Sequence, residues 1–183
     1  MLSSESQMAE AVAGHFENSV REVRVGSCIF DVVAYNKQEK LFSIVECKLG
    51  SHVTGIGHAF GQISAYYAVL TASGRDFIDR CTKKVPLRYE RMMEATHDNR
   101  ELRVAFYVAL TDAACQKTEL IRCVKKLLPG VGIIRVKSNG KSRNYLNCYG
   151  RKDAKLAEAI PTTVEILQKS PAEKNDAELW ARR

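Results

Sequence analysis

Hydrophobic and polar positions along the first quarter of this chain predict one helix followed by three strands. Apolar residues recur at helical spacing from Met8 to Phe16, directly after a Ser-x-x-Gln capping pattern that begins at Ser4. We therefore predict a helix from Ser4 to about Asn18. Three β-prone runs follow, with a turn at Gly26 and a polar turn at 36–40. They predict an antiparallel meander with strands at 21–25, 28–35 and 41–48.

The rest of the chain alternates helical and β-prone segments. A polar, flexible segment at 49–57 precedes a helical stretch at 58–73, and the charged segment 75–100 is expected to hold one helix near 88–95. The apolar run 102–110 predicts a buried central strand. An amphipathic helix at 115–128, a strand at 131–137 and a last helix at 155–169 complete the prediction. The strand–helix–strand order indicates a crossover with parallel pairing.

Composition indicates a single globular domain. The chain has 183 residues, of which 45% are apolar and 27% charged, which is ordinary for a folded domain. We assign residues 1–169 to the domain and 170–183 to a polar C-terminal tail. The net charge of +7 and the isoelectric point near 9.1 suit a polyanionic partner, although a solvated basic surface has the same composition.

Cysteine usage and hydropathy bear on location. The six cysteines form no C-x-x-C pair and have no histidine at zinc-finger spacing, so we expect reduced thiols in a cytoplasmic protein. No apolar run is long enough for a membrane span and no signal-peptide pattern follows Met1, so no membrane association is expected.

Three ionisable residues carry the candidate chemistry. Asp31 lies inside one predicted strand, and Glu46 and Lys48 close the next one. Side chains two apart on a strand share a face, and hairpin pairing can bring Asp31 beside Glu46. Two carboxylates and one ammonium are costly to bury together. A hard divalent cation, Mg²⁺ or Mn²⁺, would relieve that cost, as in metal-assisted phosphodiester hydrolysis.

The pattern Asp31…Glu46-Cys47-Lys48, followed by Gln62 and Tyr66 on the next helix, resembles the PD-(D/E)XK nuclease superfamily. The Gln-x-x-x-Tyr spacing resembles the branch that includes recombinational helicase-nucleases and related exonucleases. The resemblance covers about residues 8–136 and departs at Phe30, where the family's name has proline. It implies an α/β fold with a restriction-endonuclease-like core, a mixed central sheet flanked by helices in the order α-β-β-β-α-β-α-β.

The resemblance also implies roles. Asp31 and Glu46 would ligate the metal together with the backbone carbonyl of Cys47, Lys48 would position or activate the attacking water, and Gln62 would orient the nucleophile or the ligands. Family members often add a glutamate from the first helix. The candidates here are Glu5, Glu10 and Glu17, and Glu10 is the one selected as a metal ligand. Tyr66 would support the site or contact the nucleic-acid strand. The candidate substrate contacts are Tyr66 itself, His58, His52, Lys137 and Arg143.

The function expected from these residues is a Mg²⁺- or Mn²⁺-dependent deoxyribonuclease. No G-x-x-x-x-G-K-[ST] motor motif is present, which favours an endonuclease or a subunit supplied with DNA by a partner. DNA is the expected substrate without excluding RNA, and a homodimer is compatible with cutting two strands. Two alternatives stay open: a non-catalytic nucleic-acid-binding module on the same fold, and a regulatory subunit that binds a protein.

Overall fold

The computed structural model describes residues 4–16, 18–50, 52–84, 101–116, 118–138, 144–148 and 161–165. Four helices and seven strands lie in these ranges. In chain order they are α1 (Glu5–Ala13), β1 (Ser19–Val25), β2 (Cys28–Asn36), β3 (Leu41–Lys48), α2 (Val53–Lys84), β4 (Glu101–Thr111), α3 (Asp112–Cys115), α4 (Thr118–Leu127), β5 (Gly132–Ser138), β6 (Asn144–Cys148) and β7 (Thr162–Glu165).

The described strands form one mixed sheet in the order β1-β2-β3-β4-β5-β6. The meander β1-β2-β3 is antiparallel, β3, β4 and β5 are parallel, and β6 returns antiparallel to β5. Strand β7 pairs antiparallel with the first four residues of β4, whereas β5 pairs in parallel with residues 107–111 of β4. The expected α/β class, with a mixed central sheet flanked by helices, is therefore confirmed.

The two faces of the sheet carry separate apolar clusters. On one face, α1 packs Met8 and Val12 against Val45 and Ile134. On the other face, the long helix α2 contributes the larger cluster. The Phe30 ring stacks on Tyr66 with centroids 4.4 Å apart, and Phe77 lies 5.2 Å from Phe30 and 5.3 Å from Phe42. Strands covered on both faces need apolar side chains at nearly every position, which explains the continuous apolar run from Val104 to Leu110 in β4.

Helix α1 is shorter than predicted. Its cap is confirmed, because the Ser4 hydroxyl accepts the Gln7 N–H at 3.2 Å. The helix ends at Ala13 instead of near Asn18, and the Ser19 hydroxyl donates to the Ala13 carbonyl at 2.8 Å. The Ala13 carbonyl also accepts the Phe16 N–H at 3.1 Å, so two hydrogen bonds stabilise the end of the helix as the chain turns into β1.

Helix α2 is longer than predicted at both ends. It begins at Val53, so the expected flexible segment is wrong from residue 53 onward, and Ile56 is fully buried in the first turns. The predicted end, Ser73, has non-helical backbone angles of −141° and 31°, but the helix resumes after this break. The continuation buries Phe77 and Cys81 in the core. The sequence therefore located the break and missed the helix beyond it.

The C-terminal half differs from the prediction in three places. The helix expected at 115–128 is two helices, α3 and α4, and the Thr111 hydroxyl caps α3 by accepting the Ala114 N–H at 3.3 Å. Residues 162–165, expected in a helix, form strand β7, where two threonines and buried Val164 suit a pleated edge. Strand β6 was not predicted. The expected helix at 88–95 lies outside the described residues.

Strand β1 is distorted opposite Asp31. Glu22 has a positive φ of 55°, and the register of β1 with β2 skips the Glu22–Asp31 position. The Lys84 ammonium donates to the carbonyls of Arg21 and Glu22, at 2.7 Å each. The alternation of faces along β2 shifts at the same point, because Phe30 and Val33 both join the α2 cluster.

Within the described ranges, none of the helices combines the length and apolarity that crossing a membrane requires.

The left-handed backbone at Glu22 predicts an unusual ranking of substitutions. A residue with a Cβ pays roughly 1–2 kcal/mol in this conformation, which glycine avoids. Glu22→Gly should therefore be as stable as the wild type or up to about 1 kcal/mol more stable, while Glu22→Val should lose about 1–2 kcal/mol. Urea unfolding measures both.

The matched control is Arg24, an exposed residue of the same strand that lacks a positive φ. There the ranking should reverse, since valine suits a strand and glycine weakens it by about 0.5–1 kcal/mol. The same ranking at both positions would contradict the left-handed assignment.

Candidate active site at a fork between two strands

The candidate site lies where β2 and β3 separate. Their pairing runs from Asn36↔Leu41 to Val32↔Val45. At the next position of β2, Asp31 places its side chain where a backbone acceptor would stand, and its Oδ2 accepts the Cys47 N–H at 2.8 Å. The carboxylate thus satisfies a buried donor that the fork would leave open.

Tyr66 closes the fork from helix α2. Its hydroxyl donates to the Ile29 carbonyl at 2.7 Å and lies 2.5 Å from Glu46 Oε2. Tyr66 and Glu46 are each only 1% exposed. A hydroxyl has one proton to donate and a carbonyl can only accept, so both contacts are satisfied together when Glu46 itself carries a proton.

Electrostatics agree with a neutral Glu46. Burial, followed by the nearby charge of Asp31, raises the pKa of Glu46 to about 8. Burial raises the pKa of Asp31 as well, while the Cys47 N–H opposes the rise. Ionisation of both half-buried Asp31 and buried Glu46 is therefore unfavourable at neutral pH unless more positive charge approaches the fork.

Lys48 supplies one positive charge at the mouth of the fork. Its Nζ lies 3.6 Å from Glu46 Oε1 and 3.2 Å from Glu5 Oε2, and its side chain is 17% exposed. Burial would lower the pKa of Lys48, but the hydrogen bond to Glu5 and the surrounding carboxyls outweigh it and raise that pKa. Lys48 is therefore an ammonium held between two acidic groups.

The glutamate of α1 that reaches this cluster is Glu5, not the selected Glu10. Helix α1 buries Met8, Ala9 and Val12, and Glu5 lies one turn before Ala9 on that stripe. Glu10 lies off the stripe and is exposed. Glu17, the third candidate, is outside the described residues.

Four of the remaining predicted residues lie on helix α2 or directly before it. Gln62 lies one turn before Tyr66 on α2, partly buried, and its Oε1 is enclosed with no hydrogen-bond partner among the described residues. His52 and His58 are exposed near the start of α2. Tyr66 is only 1% exposed and its hydroxyl contacts Glu46 and the Ile29 carbonyl, which favours its expected supporting role over contact with a nucleic-acid strand. Lys137 lies on β5 opposite Tyr145, and Arg143 is outside the described residues.

The donor set of the fork suits a hard cation. In a strand, the N–H and C=O of one residue point to the same side, so the Cys47 carbonyl faces the side on which Asp31 lies. Side chains alone do not complete a metal site in the described ranges, because no group of three or more His, Cys, Asp or Glu is placed to hold a metal. The main-chain carbonyl and water would therefore have to complete the set. Two carboxyls, one main-chain carbonyl and water would form an oxygen-only set, which fits Mg²⁺ or Mn²⁺ and not zinc.

Sequence reasoning did not identify two features of the site, the Ile29 carbonyl and the contact of Glu5 with Lys48. A main-chain carbonyl leaves no mark in a sequence. Glu5, in contrast, could have been chosen from the apolar stripe of α1, which it extends toward the N-terminus.

Comparison with known proteins adds no assignment, because the chain matches no protein-family model, no curated protein and no solved structure. Interpretation of the fork therefore depends on its own geometry and chemistry.

The raised pKa of Glu46 predicts a pH-dependent stability. The folded state keeps a proton from about 4.5, the ordinary value, up to about 8, whereas the unfolded state loses it at the ordinary value. Without metal, the free energy of unfolding should fall as pH rises through this window, by up to about 1.4 kcal/mol per pH unit. Urea unfolding in chelator across the window measures the slope.

Glu46→Gln provides the matched variant, since glutamine keeps the shape of the neutral acid and cannot ionise. Its stability should vary much less between those pH values. Parallel curves for the wild type and Glu46→Gln would contradict a protonated Glu46.

Tyr66→Phe should destabilise the protein by about 1–3 kcal/mol, because it leaves the buried Ile29 carbonyl and Glu46 without their common partner. Tyr67, the next residue, is 45% exposed, so Tyr67→Phe should change stability by less than about 0.5 kcal/mol. Thermal or urea unfolding of the pair tests this, and equal effects would refute the bridging role.

Proposed function

We propose that the protein is a metal-dependent deoxyribonuclease that hydrolyses phosphodiester bonds with water. The observation that carries the proposal is the convergence of Asp31, Glu46 and Lys48 at the fork, on the side of β3 that the Cys47 carbonyl faces. A buried acid with a pKa raised as far as that of Glu46, to about 8, is costly for stability, and such arrangements cluster at functional sites.

Asp31, Glu46 and the Cys47 carbonyl would hold Mg²⁺ or Mn²⁺ at the open end of the fork. When bound, the cation would neutralise the two carboxylates, lower the pKa of a water molecule and polarise the scissile phosphate. Glu46 would give up its proton on binding, since a carboxylate and not a carboxylic acid is the ligand.

Lys48 would act as a donor and not as a base. Its pKa is raised, so it is an ammonium at neutral pH. The ammonium would hydrogen-bond to a nonbridging phosphate oxygen and stabilise the negative charge that builds up as water attacks phosphorus and the P–O ester bond breaks. Glu5 would hold the lysine in place at 3.2 Å, and Tyr66 would fix the Glu46 carboxyl from behind.

Nucleic acid is the substrate class that best suits the charge and the fold. The net charge of +7 attracts a polyanion. The order of elements, a helix, an antiparallel meander, a long helix and a parallel strand on β3, supports a restriction-endonuclease-like core. The given sequence holds no motor motif, and we propose an endonuclease that acts alone, as a homodimer or with a partner subunit.

A cleavage assay tests the proposal. Purified protein is incubated with supercoiled plasmid, linear duplex, single-stranded DNA, a four-way junction and RNA, in Mg²⁺, Mn²⁺ or chelator. We expect metal-dependent cutting of at least one substrate, and Lys48→Ala and Asp31→Asn should each lower the rate by about 10²-fold or more. Lys126→Ala, at an exposed lysine of α4, is the matched control and should cut at the wild-type rate.

Other results would redirect the assignment. Salt-dependent DNA binding without cleavage, unchanged in Lys48→Ala, would favour the non-catalytic binding module. Failure to bind any nucleic acid would favour the protein-binding subunit.

A further inference from the structure

A second candidate site lies on the α1 face of the sheet, beyond the end of α1. A cavity of about 590 Å³ opens there, a volume within the usual range of small-ligand sites. It exists because α1 stops at Ala13 while the sheet continues, and because the floor carries the small cross-strand pair Ala34 and Ser43. Tyr107, half-buried on β4, also lines this floor.

The walls of the cavity are held from several directions. The Asn36 side chain accepts the N–H groups of Gln38 and Glu39 at 3.0 and 3.2 Å, which fixes the β2–β3 turn. Arg103 donates to the Glu39 carbonyl at 2.9 Å, which ties that turn to β4. On the opposite wall, the Asn18 carbonyl accepts the Tyr35 N–H at 2.8 Å. A site with walls fixed in this way needs little reorganisation to bind.

The chemistry of the lining is neutral, aromatic and rich in hydrogen-bonding groups. Phe16 and Tyr107 contribute aromatic rings to the lining, while His15, Gln38 and Ser43 contribute hydrogen-bonding groups. Asn18 Oδ1, also in the lining, is buried and has no hydrogen-bond partner among the described residues. The charged lining residues Lys37 and Glu39 are opposite in sign, so the cavity does not select an ion.

We propose that this cavity binds an unpaired nucleobase, an inference that rests on the proposed nuclease function. A base is planar and neutral, stacks on aromatic rings and hydrogen-bonds through its edge, which are the properties that the lining matches. The cavity and the fork lie at opposite ends of α1, which at nine residues is about 13 Å long. One flexible strand can therefore reach both, whereas a base held in a duplex stack cannot enter. The substrate class that follows is single-stranded DNA, or DNA with a single-stranded segment.

Binding of a single strand in chelator tests this inference without cleavage. Fluorescence anisotropy compares a labelled single-stranded oligonucleotide with an abasic strand of the same length, at raised salt so that phosphate contacts contribute less. Wild type should bind the base-containing strand at least about fivefold more tightly, the lower limit for stacking one base. Tyr107→Leu, which removes a ring, and Ser43→Phe, which fills the floor, should both abolish that preference.

Tyr67→Leu is the matched control, because Tyr67 is an exposed tyrosine of α2 and does not line the cavity; it should keep the preference. Thermal unfolding identifies a variant that fails to fold, and two different variants keep the test decisive. Adenosine and thymidine, titrated alone by calorimetry, distinguish the two sources of a base. Cavity-dependent binding of a free nucleoside, with no preference between the two strands, would support base binding and assign it to a soluble ligand.

Equal affinity for the two strands, or a preference that survives both cavity variants, together with no cavity-dependent nucleoside binding, would overturn the inference. Failure of the nuclease proposal is distinguishable, because it appears only in the cleavage assay with metal. A protein that cuts DNA but ignores bases loses this inference alone.

Discussion

The hydrogen bond from the Cys47 N–H to Asp31 Oδ2 is the interaction on which the candidate site depends. It replaces a backbone acceptor at the point where β2 and β3 separate, so the sheet can open without leaving a buried donor unpaired. Removal of a partner from such a buried pair costs about 1–3 kcal/mol. The same bond fixes the Asp31 carboxyl beside Glu46. The Asp31 side chain therefore both pairs a backbone donor of the sheet and forms part of the candidate site.

The distortions around the fork form a connected set. Opposite Asp31, Glu22 takes a left-handed conformation. Lys84, at the end of α2, donates hydrogen bonds to the carbonyls of Arg21 and Glu22. Nearer the start of the same helix, Tyr66 reaches the Ile29 carbonyl and Glu46. Helix α2 thus compensates the irregular backbone of both strands. Strain at one point with compensation nearby is characteristic of functional positions.

The faces of the sheet divide the proposed work. The α2 face supplies Tyr66, which positions the buried acid, and the larger apolar cluster that makes the position rigid. The α1 face supplies Glu5 at one end of a short helix and an open cavity beyond the other. If α1 extended to Asn18, as its sequence suggested, it would cover the cavity floor. The early end of this helix is therefore a functional feature in the proposal as well as a structural one.

The sequence by itself determined the strands that carry the chemistry. Strand β3 was predicted with its observed bounds, and β2 within one residue, because apolar and polar side chains alternate over short distances and the turns are marked by glycine and polar residues. The spacing of Asp31, Glu46 and Lys48 on these strands was enough to place them together. The coarse α/β class followed from the same local patterns.

Only the tertiary structure decided which distant groups meet. It placed Glu5 rather than Glu10 at Lys48, continued α2 beyond Ser73 and turned 162–165 into a strand beside β4. It also raised the pKa of Glu46, since burial and the approach of Asp31 disfavour its charged form. The physical reason is that periodicity records which face of an element is apolar, whereas partners, burial and protonation depend on segments far apart in the chain.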